Sequence, residues 1–167
     1  MREHLLIAFL SCTLAAIIQE SSIIISASPS QSAAYDSSFA LDLNPATTYA
    51  TSTANPYVEL TLGAAYTISG YFMSTYQLHP LFVSRSPRSW TVRCEQQGSQ
   101  GWIVIDTRTE EINNAEILPR FTPASTDATC IRVLIEFNNS LGVAVSDIAL
   151  EGDWTSINAC YDIEKLL

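Results

Sequence analysis

Residues Pro87–Thr107 read PRSWTVRCEQQGSQGWIVIDT. Two runs within it, Ser89–Glu95 and Gly101–Thr107, each carry a tryptophan near the start and then alternate apolar with polar residues. Trp90, Val92 and Cys94 fall on one face of the first run, with Thr91 and Arg93 on the other. In the second, Trp102, Val104 and Asp106 alternate with Ile103 and Ile105. Successive side chains of an extended chain point to opposite faces, so a period of two marks a strand. Gln96-Gln97-Gly98-Ser99-Gln100 between them is polar and carries the glycine that favours a chain reversal. The stretch predicts an antiparallel hairpin with one face buried.

The same pattern recurs on both sides. Upstream, Ser22–Ala27 is a short apolar run suited to a first strand, and Tyr57–Leu62 and Thr67–Thr75 are two further strand candidates. Phe39–Thr53, with the turn formers Asp42, Asn44 and Pro45, reads as loop. Downstream, Glu110–Pro123 is charged and irregular, with one short strand expected near Ile117. Thr129–Phe137 is the clearest central strand, with Ile131, Val133 and Ile135 on one face and Arg132 and Leu134 on the other. Asn138-Asn139-Ser140 turns the chain, and Val143–Glu151 closes the sequence of strands. About eight short strands separated by turn signals predict an all-β fold, an antiparallel β-sandwich of the jelly-roll kind.

A chain of 167 residues suits one domain with a sizeable core. Its 47% hydrophobic and 15% charged content exclude a disordered, solvating chain. The formal net charge of -9 excludes the basic stripe that nucleic-acid binding needs and disfavours an anionic membrane surface. Met1–Ile18 has Arg2 near its start and then fourteen uncharged residues, LLIAFLSCTLAAII, the form of a secretory signal and short for a membrane span. Thr13-Leu14-Ala15 is the best small-x-small cleavage candidate, although it leaves Ile17 and Ile18 on the mature end. The expected organisation is a signal peptide over 1–22, a sandwich over 23–153 and a tail over 154–167. The protein is then secreted; if the leader is instead a packing helix, it is cytoplasmic.

With Cys12 in the leader, Cys94, Cys130 and Cys160 remain, which permits one bridge and one free thiol in three possible pairings. Asn138-Asn139-Ser140 is also a glycosylation sequon, relevant if the chain is secreted in a eukaryote. No G-x-S-x-G, histidine pair of metal-ligand spacing or framed thiol is present, so the chain reads as a binder and not an enzyme.

The order of several short motifs resembles the discoidin domain, also called the coagulation factor 5/8 type C domain, of the galactose-binding-like superfamily. Asp42-Leu43-Asn44-Pro45-Ala46-Thr47-Thr48-Tyr49 follows the family's D-G-D/N-P-x-T-x-W loop, with leucine for glycine and tyrosine for tryptophan. Thr61-Leu62-Gly63, Ile68-Ser69-Gly70, Pro87-Arg88-Ser89-Trp90-Thr91-Val92 and Gln97-Gly98 before Trp102 follow in order. Ile131-Arg132-Val133 and Ser146-Asp147-Ile148-Ala149-Leu150-Glu151-Gly152 resemble its last strands. The resemblance runs from Ile23 to Gly152.

It implies two sites. A structural calcium held by Asp42, Asn44, Thr47 and Asp147 is expected by analogy with members that bind one there, since hard cations take converging oxygens. Aspartate at 147 stands where the family has glutamate; Asp42 and Asn44 also have the chemistry of Asx-turns that bond their own backbone. Sugar-binding relatives use loops at one end, with an aromatic platform for the apolar face of a pyranose and planar polar groups for its hydroxyls. Here those residues are Tyr76, His79, Phe82 and Arg85 of the loop Tyr76–Arg88, with Asn139 facing them. The expected partner is a glycan or glycoprotein; a protein surface met by the same loops, as in cell adhesion, is the alternative.

Overall fold

The computed structural model describes residues 16–18, 23–44, 46–75, 83–109, 112 and 119–154. Among them are ten strands: β1 (Ala16–Ile17), β2 (Ile23–Ala27), β3 (Tyr49–Thr51), β4 (Tyr57–Ser74), β5 (Ser89–Gln96), β6 (Trp102–Thr109), β7 (Arg120–Phe121), β8 (Thr129–Phe137), β9 (Val143–Val145) and β10 (Asp147–Trp154). Hydrogen-bonded neighbours run β1-β10-β4-β8-β5-β6, with β2 and β7 also on β4, while β3 pairs β9 separately. Every pairing is antiparallel.

The β5–β6 hairpin forms as its alternation requires, from Ser89↔Thr109 to Glu95↔Trp102. Trp90, Val92 and Cys94 are buried to within 1% exposure. β5 is interior because β8 takes its other edge, from Trp90↔Phe137 to Gln96↔Cys130. The pattern of β6 departs from strict alternation. A register shift opposite Val92/Arg93 makes Ile105 an extra residue, so Ile105 and Asp106 are both buried, while Trp102 and Val104 keep the outer face with Arg93 and Glu95. The same device displaces Ile131. It falls in the shift between Arg132 and Cys130, and the core-facing set of β8 is Cys130, Val133, Ile135 and Phe137 rather than one beginning at Ile131.

β4 joins the two layers. The two strand candidates Tyr57–Leu62 and Thr67–Thr75 fall on one 18-residue strand that ends at Ser74, with Thr75 just beyond it. Its first half pairs β2; β8 runs alongside it from Tyr57 to Thr67, across an irregularity between Thr61 and Tyr66; and its second half pairs β10 and, at Tyr71–Phe72, β7. Small residues at Gly63, Ala64 and Ala65 cover that irregularity. Tyr71, Met73, Leu60, Val58, Trp90, Phe137, Ile148 and Leu150 fill the core between the layers.

Three other expectations shift. The supposed loop Phe39–Thr53 contains strand β3, and the closing strand is broken at Ser146 into β9 and β10. Ile117 lies outside the described residues, and the short strand of that region is β7. The sheet also begins before residue 23, since β1 pairs Ala16 with Gly152 and Ile17 with Glu151.

Inside the core sits a polar knot. The Tyr71 hydroxyl donates to Asp106 Oδ2 at 2.7 Å and accepts from Trp90 Nε1 at 2.9 Å. Arg108 Nε donates to the same carboxylate oxygen at 2.7 Å and Thr107 N to Oδ1 at 3.0 Å. Phe121 stacks on Tyr71 and lies edge-on to Trp90, with the Arg108 guanidinium 5.6 Å from its ring centre. A charge buried this deeply requires such partners. Their saturation of both Asp106 oxygens makes the cluster structural.

Candidate ligand and metal sites

One end of the sandwich collects the loops. There Phe137 N donates to Pro56 O, Asn138 N to Ser89 O and Ser28 N to Tyr57 O, at 2.8, 2.8 and 3.0 Å. The far end of β4 returns to the same end: Thr75 Oγ1 donates to Ala144 O at 3.0 Å and Ser146 N to Ser74 O at 3.0 Å. β9 and β3 carry that contact across to Thr51, onto which the Gly142 turn packs. Thr75 and the 3-10 turn Val83–Arg85 therefore bound the segment 76–82 on both sides at this end.

Of the residues assigned to ligand binding, Tyr76, His79 and Phe82 lie outside the described residues. Arg85 and Asn139 are described, and the loops draw them together. Asn139 is 7% exposed, donates from Nδ2 to Ser86 O at 3.0 Å and accepts at its carbonyl from Asn55 N at 3.0 Å. Its Oδ1 is buried with no hydrogen-bond partner among the described residues. Asn139 thus clamps the turn one residue beyond Arg85. Arg85 Nη1 donates to Gln31 Oε1. Sequence reasoning missed Gln31, which lay in an unpatterned polar stretch and is brought here by Gln31 N bonding Ala50 O at 2.8 Å. Leu141 beside them is 63% exposed, and Asn138 of the sequon is also exposed.

The four residues assigned to a metal are also gathered. Asp42 Oδ1 accepts from Asn44 N at 2.9 Å and Asn44 Oδ1 from Ala46 N at 3.1 Å, so both Asx-turns form. Thr47 Oγ1 donates to the Asp42 carboxylate at 2.7 Å and to Asn44 O at 2.8 Å. Leu43 takes the left-handed conformation, φ 52°, in which the family's glycine would be unstrained. Asp147, at the start of β10, is 4% exposed and accepts from Ser74 Oγ at 3.2 Å through Oδ2. Its Oδ1 is buried without a partner. Burial raises the Asp147 pKa above the ordinary carboxylate value; the Ser74 hydroxyl opposes this, nearby Asp42 adds to it, and the Asn44 amide lowers it. Among the described residues no three His, Cys, Asp or Glu side chains converge, so any cation here relies on two carboxylates plus amide, hydroxyl and carbonyl oxygens.

The thiols are resolved for one pair. Cys94 and Cys130 form a disulfide with Cα atoms 5.3 Å apart, selecting one of the pairings the sequence leaves open.

No family sequence model matches the chain, and no curated protein matches it in sequence. Solved structures do. The F5/8 type C domain of a Bacteroides fragilis protein superposes with a TM-score of 0.73 at 14% identity, covering 84% of this chain and 97% of that one. The family 32 CBM from C. perfringens NanJ, solved in complex with galactose, gives 0.68 at 17% identity, covering 83% and 99%. The CBM32 of AlyQ, in complex with 4,5-unsaturated mannuronic acid, gives 0.58 at 14%, covering 77% and 94%. Antiparallel layers joined through β4, the Asp42–Thr47 loop meeting the start of β10, and this near-complete overlap give the chain the discoidin-like β-sandwich fold of F5/8 type C and CBM32 domains.

Proposed function

We infer that the protein is a non-catalytic, exported carbohydrate-binding module that holds glycans through loops at one end of the sandwich. The observation that carries the reading is the convergence of Gln31, Arg85 and Asn139 at the end from which the segment 76–82 springs. The Gln31 amide and the Arg85 guanidinium are planar polar groups that suit adjacent sugar hydroxyls, buried Asn139 holds the turn that carries Arg85, and Tyr76 or Phe82 supplies the aromatic platform. His79 provides a further hydroxyl partner. The galactose complex of the NanJ module, with the same fold, supports this choice of ligand class. Export is supported by the Cys94–Cys130 disulfide, since such bonds persist in oxidising compartments.

A calcium ion bound by Asp42, Asn44, Thr47 and Asp147 belongs to the same reading. The donor set fits a hard cation, and the partnerless buried Asp147 Oδ1 beside a second carboxylate is the feature a cation satisfies. The ion would supply charge neutralisation, tying the loop to β10.

A purified chain applied to a glycan array is the test. Binding that is lost in Tyr76→Ala and His79→Ala, with the fold unchanged by circular dichroism, supports the reading; an array without binders overturns it. The exposed Leu141 at the same end favours one alternative, a protein partner in adhesion. That interface tolerates His79→Ala and fails on Phe82→Ala.

A further inference from the structure

Ala16–Ile18 is built into the sheet. Beyond the two β1 pairings, Ile18 N donates to Leu150 O at 2.9 Å, and the Ile18 side chain is 6% exposed within the main core. Gly152 lies tight against β4 and in ordinary contact with Ile18. A Cβ at 152 would stand 2.7 Å from the Thr67 carbonyl oxygen and 3.5 Å from Ile18 Cδ1. An export leader is discarded after use, whereas a core isoleucine is not. Cleavage at or beyond residue 18 would strip the β10 edge; cleavage before Ala16 spares it. Thr13-Leu14-Ala15 places small residues at the two positions a leader peptidase reads, and the bond that follows them is the one before Ala16.

A second observation lies on the same edge. Asp153 Oδ1 is buried without a hydrogen-bond partner among the described residues. Asp153 directly follows Gly152, the partner of Ala16, so the antiparallel register sets it one step past the amide of Ala16. A buried carboxylate oxygen left unpaired is costly. A cation at the amino end of β1 is its natural complement.

We propose that the chain matures by hydrolysis of the Ala15–Ala16 bond, so that the new amino terminus is the first residue of β1. A leader peptidase of the export machinery catalyses the addition of water across the bond. The cut leaves a carboxylate on Ala15 and an α-ammonium on Ala16, and that ammonium seats beside Asp153. Ile17 and Ile18, which look misplaced at a mature end, become the edge strand and core contact that the cut must spare. The inference rests on the exported reading, and the two fail differently.

Full-length chain is expressed in a secreting host, and the product's intact mass and N-terminal sequence are measured. A secreted product beginning at Ala16 is expected. A folded, secreted product beginning anywhere from residue 19 to 23 overturns the inference and leaves export standing; an uncleaved, retained chain overturns both. The ammonium contact is tested with Asp153→Asn in two backgrounds, the chain beginning at Ala16 and one carrying an extra leading alanine. A loss of about 3 °C in Tm is expected in the first and none in the second. Equal losses in both would show that Asp153 does not receive the terminus.

Discussion

Single residues carry the tension in this fold, and Leu43 is the plainest case. Its left-handed φ of 52° costs an L-residue roughly 1–2 kcal/mol, and its side chain is 54% exposed, so little packing offsets the strain. Glycine there removes the strain but adds roughly 0.5–1 kcal/mol of unfolded-state entropy. Leu43→Gly is therefore expected to raise stability by about 0.5–1 kcal/mol, seen as a higher urea midpoint at unchanged slope. A lower midpoint would mean that the leucine side chain makes a stabilising contact. Asp147 presents the opposite problem. Its folded pKa is raised, chiefly by burial, so over a window above the ordinary carboxylate value the folded chain keeps a proton that the unfolded chain has lost. Stability then falls as pH rises through that window. In chelator, Asp147→Asn should flatten this slope. With free calcium at a hundred times its Kd, the parent chain should gain about 2.7 kcal/mol and the variant nothing. A parent chain indifferent to calcium sinks the metal site. Tyr71 illustrates a third kind of residue. Tyr71→Phe strips a donor from Asp106 and an acceptor from Trp90, and is expected to cost about 1–3 kcal/mol by thermal melt.

Elements show how far pattern carries and where it stops. β8 is legible to its ends, Thr129 and Phe137, because a long alternating run between polar turns has one reading as a strand. The hairpin is equally legible at Trp90, Val92 and Cys94. Asp106 and Ile131 are not, because each lies at a register shift, and an extra residue in a ladder leaves no trace in the hydrophobic period. The alternation of β4 breaks at Gly63 for a related reason: small residues that end a pattern in one strand let another bend from layer to layer. The motif residues Asp42, Asn44, Thr47 and Asp147 were found through resemblance, since nothing in their spacing foretells that the start of β10 meets the loop. Gln31 carried no signal at all. The β3–β9 pair depends on one position that could have been guessed but not located. Gly142 has φ 87°, and a Cβ there would fall 1.9 Å from the Thr51 carbonyl oxygen. Gly142→Ala is expected to cost about 3 kcal/mol or more, because positive φ and a backbone clash add. A drop of less than 1 kcal/mol in a denaturant titration would mean that the turn shifts without resistance, on the order of ordinary surface substitutions.

At the scale of the whole molecule, the sandwich separates what holds it together from what it presents. The loops gather where β8 ends at Phe137, whereas the disulfide lies at the other end of the same strand, at Cys130, and joins it to β5. It spans the register shift where Ile131 has no partner on β5, so a covalent tie stands where the ladder is interrupted. With a sequence separation of 36 between the cysteines, the loss of closure entropy in the unfolded chain corresponds to about 3–4 kcal/mol. The double variant Cys94→Ala/Cys130→Ala is expected to lose about that much, a large part of a domain's total stability. If the proposed glycan site is right, the affinity of that variant, measured well below its melting point, should equal the parent's, because the bridge is a strand's length from Arg85 and Asn139. Loss of affinity in a variant whose sheet is intact by circular dichroism would mean that the two ends are coupled through β5 and β8. Full affinity together with lowered stability would mean that the scaffold carries the loops without tuning them.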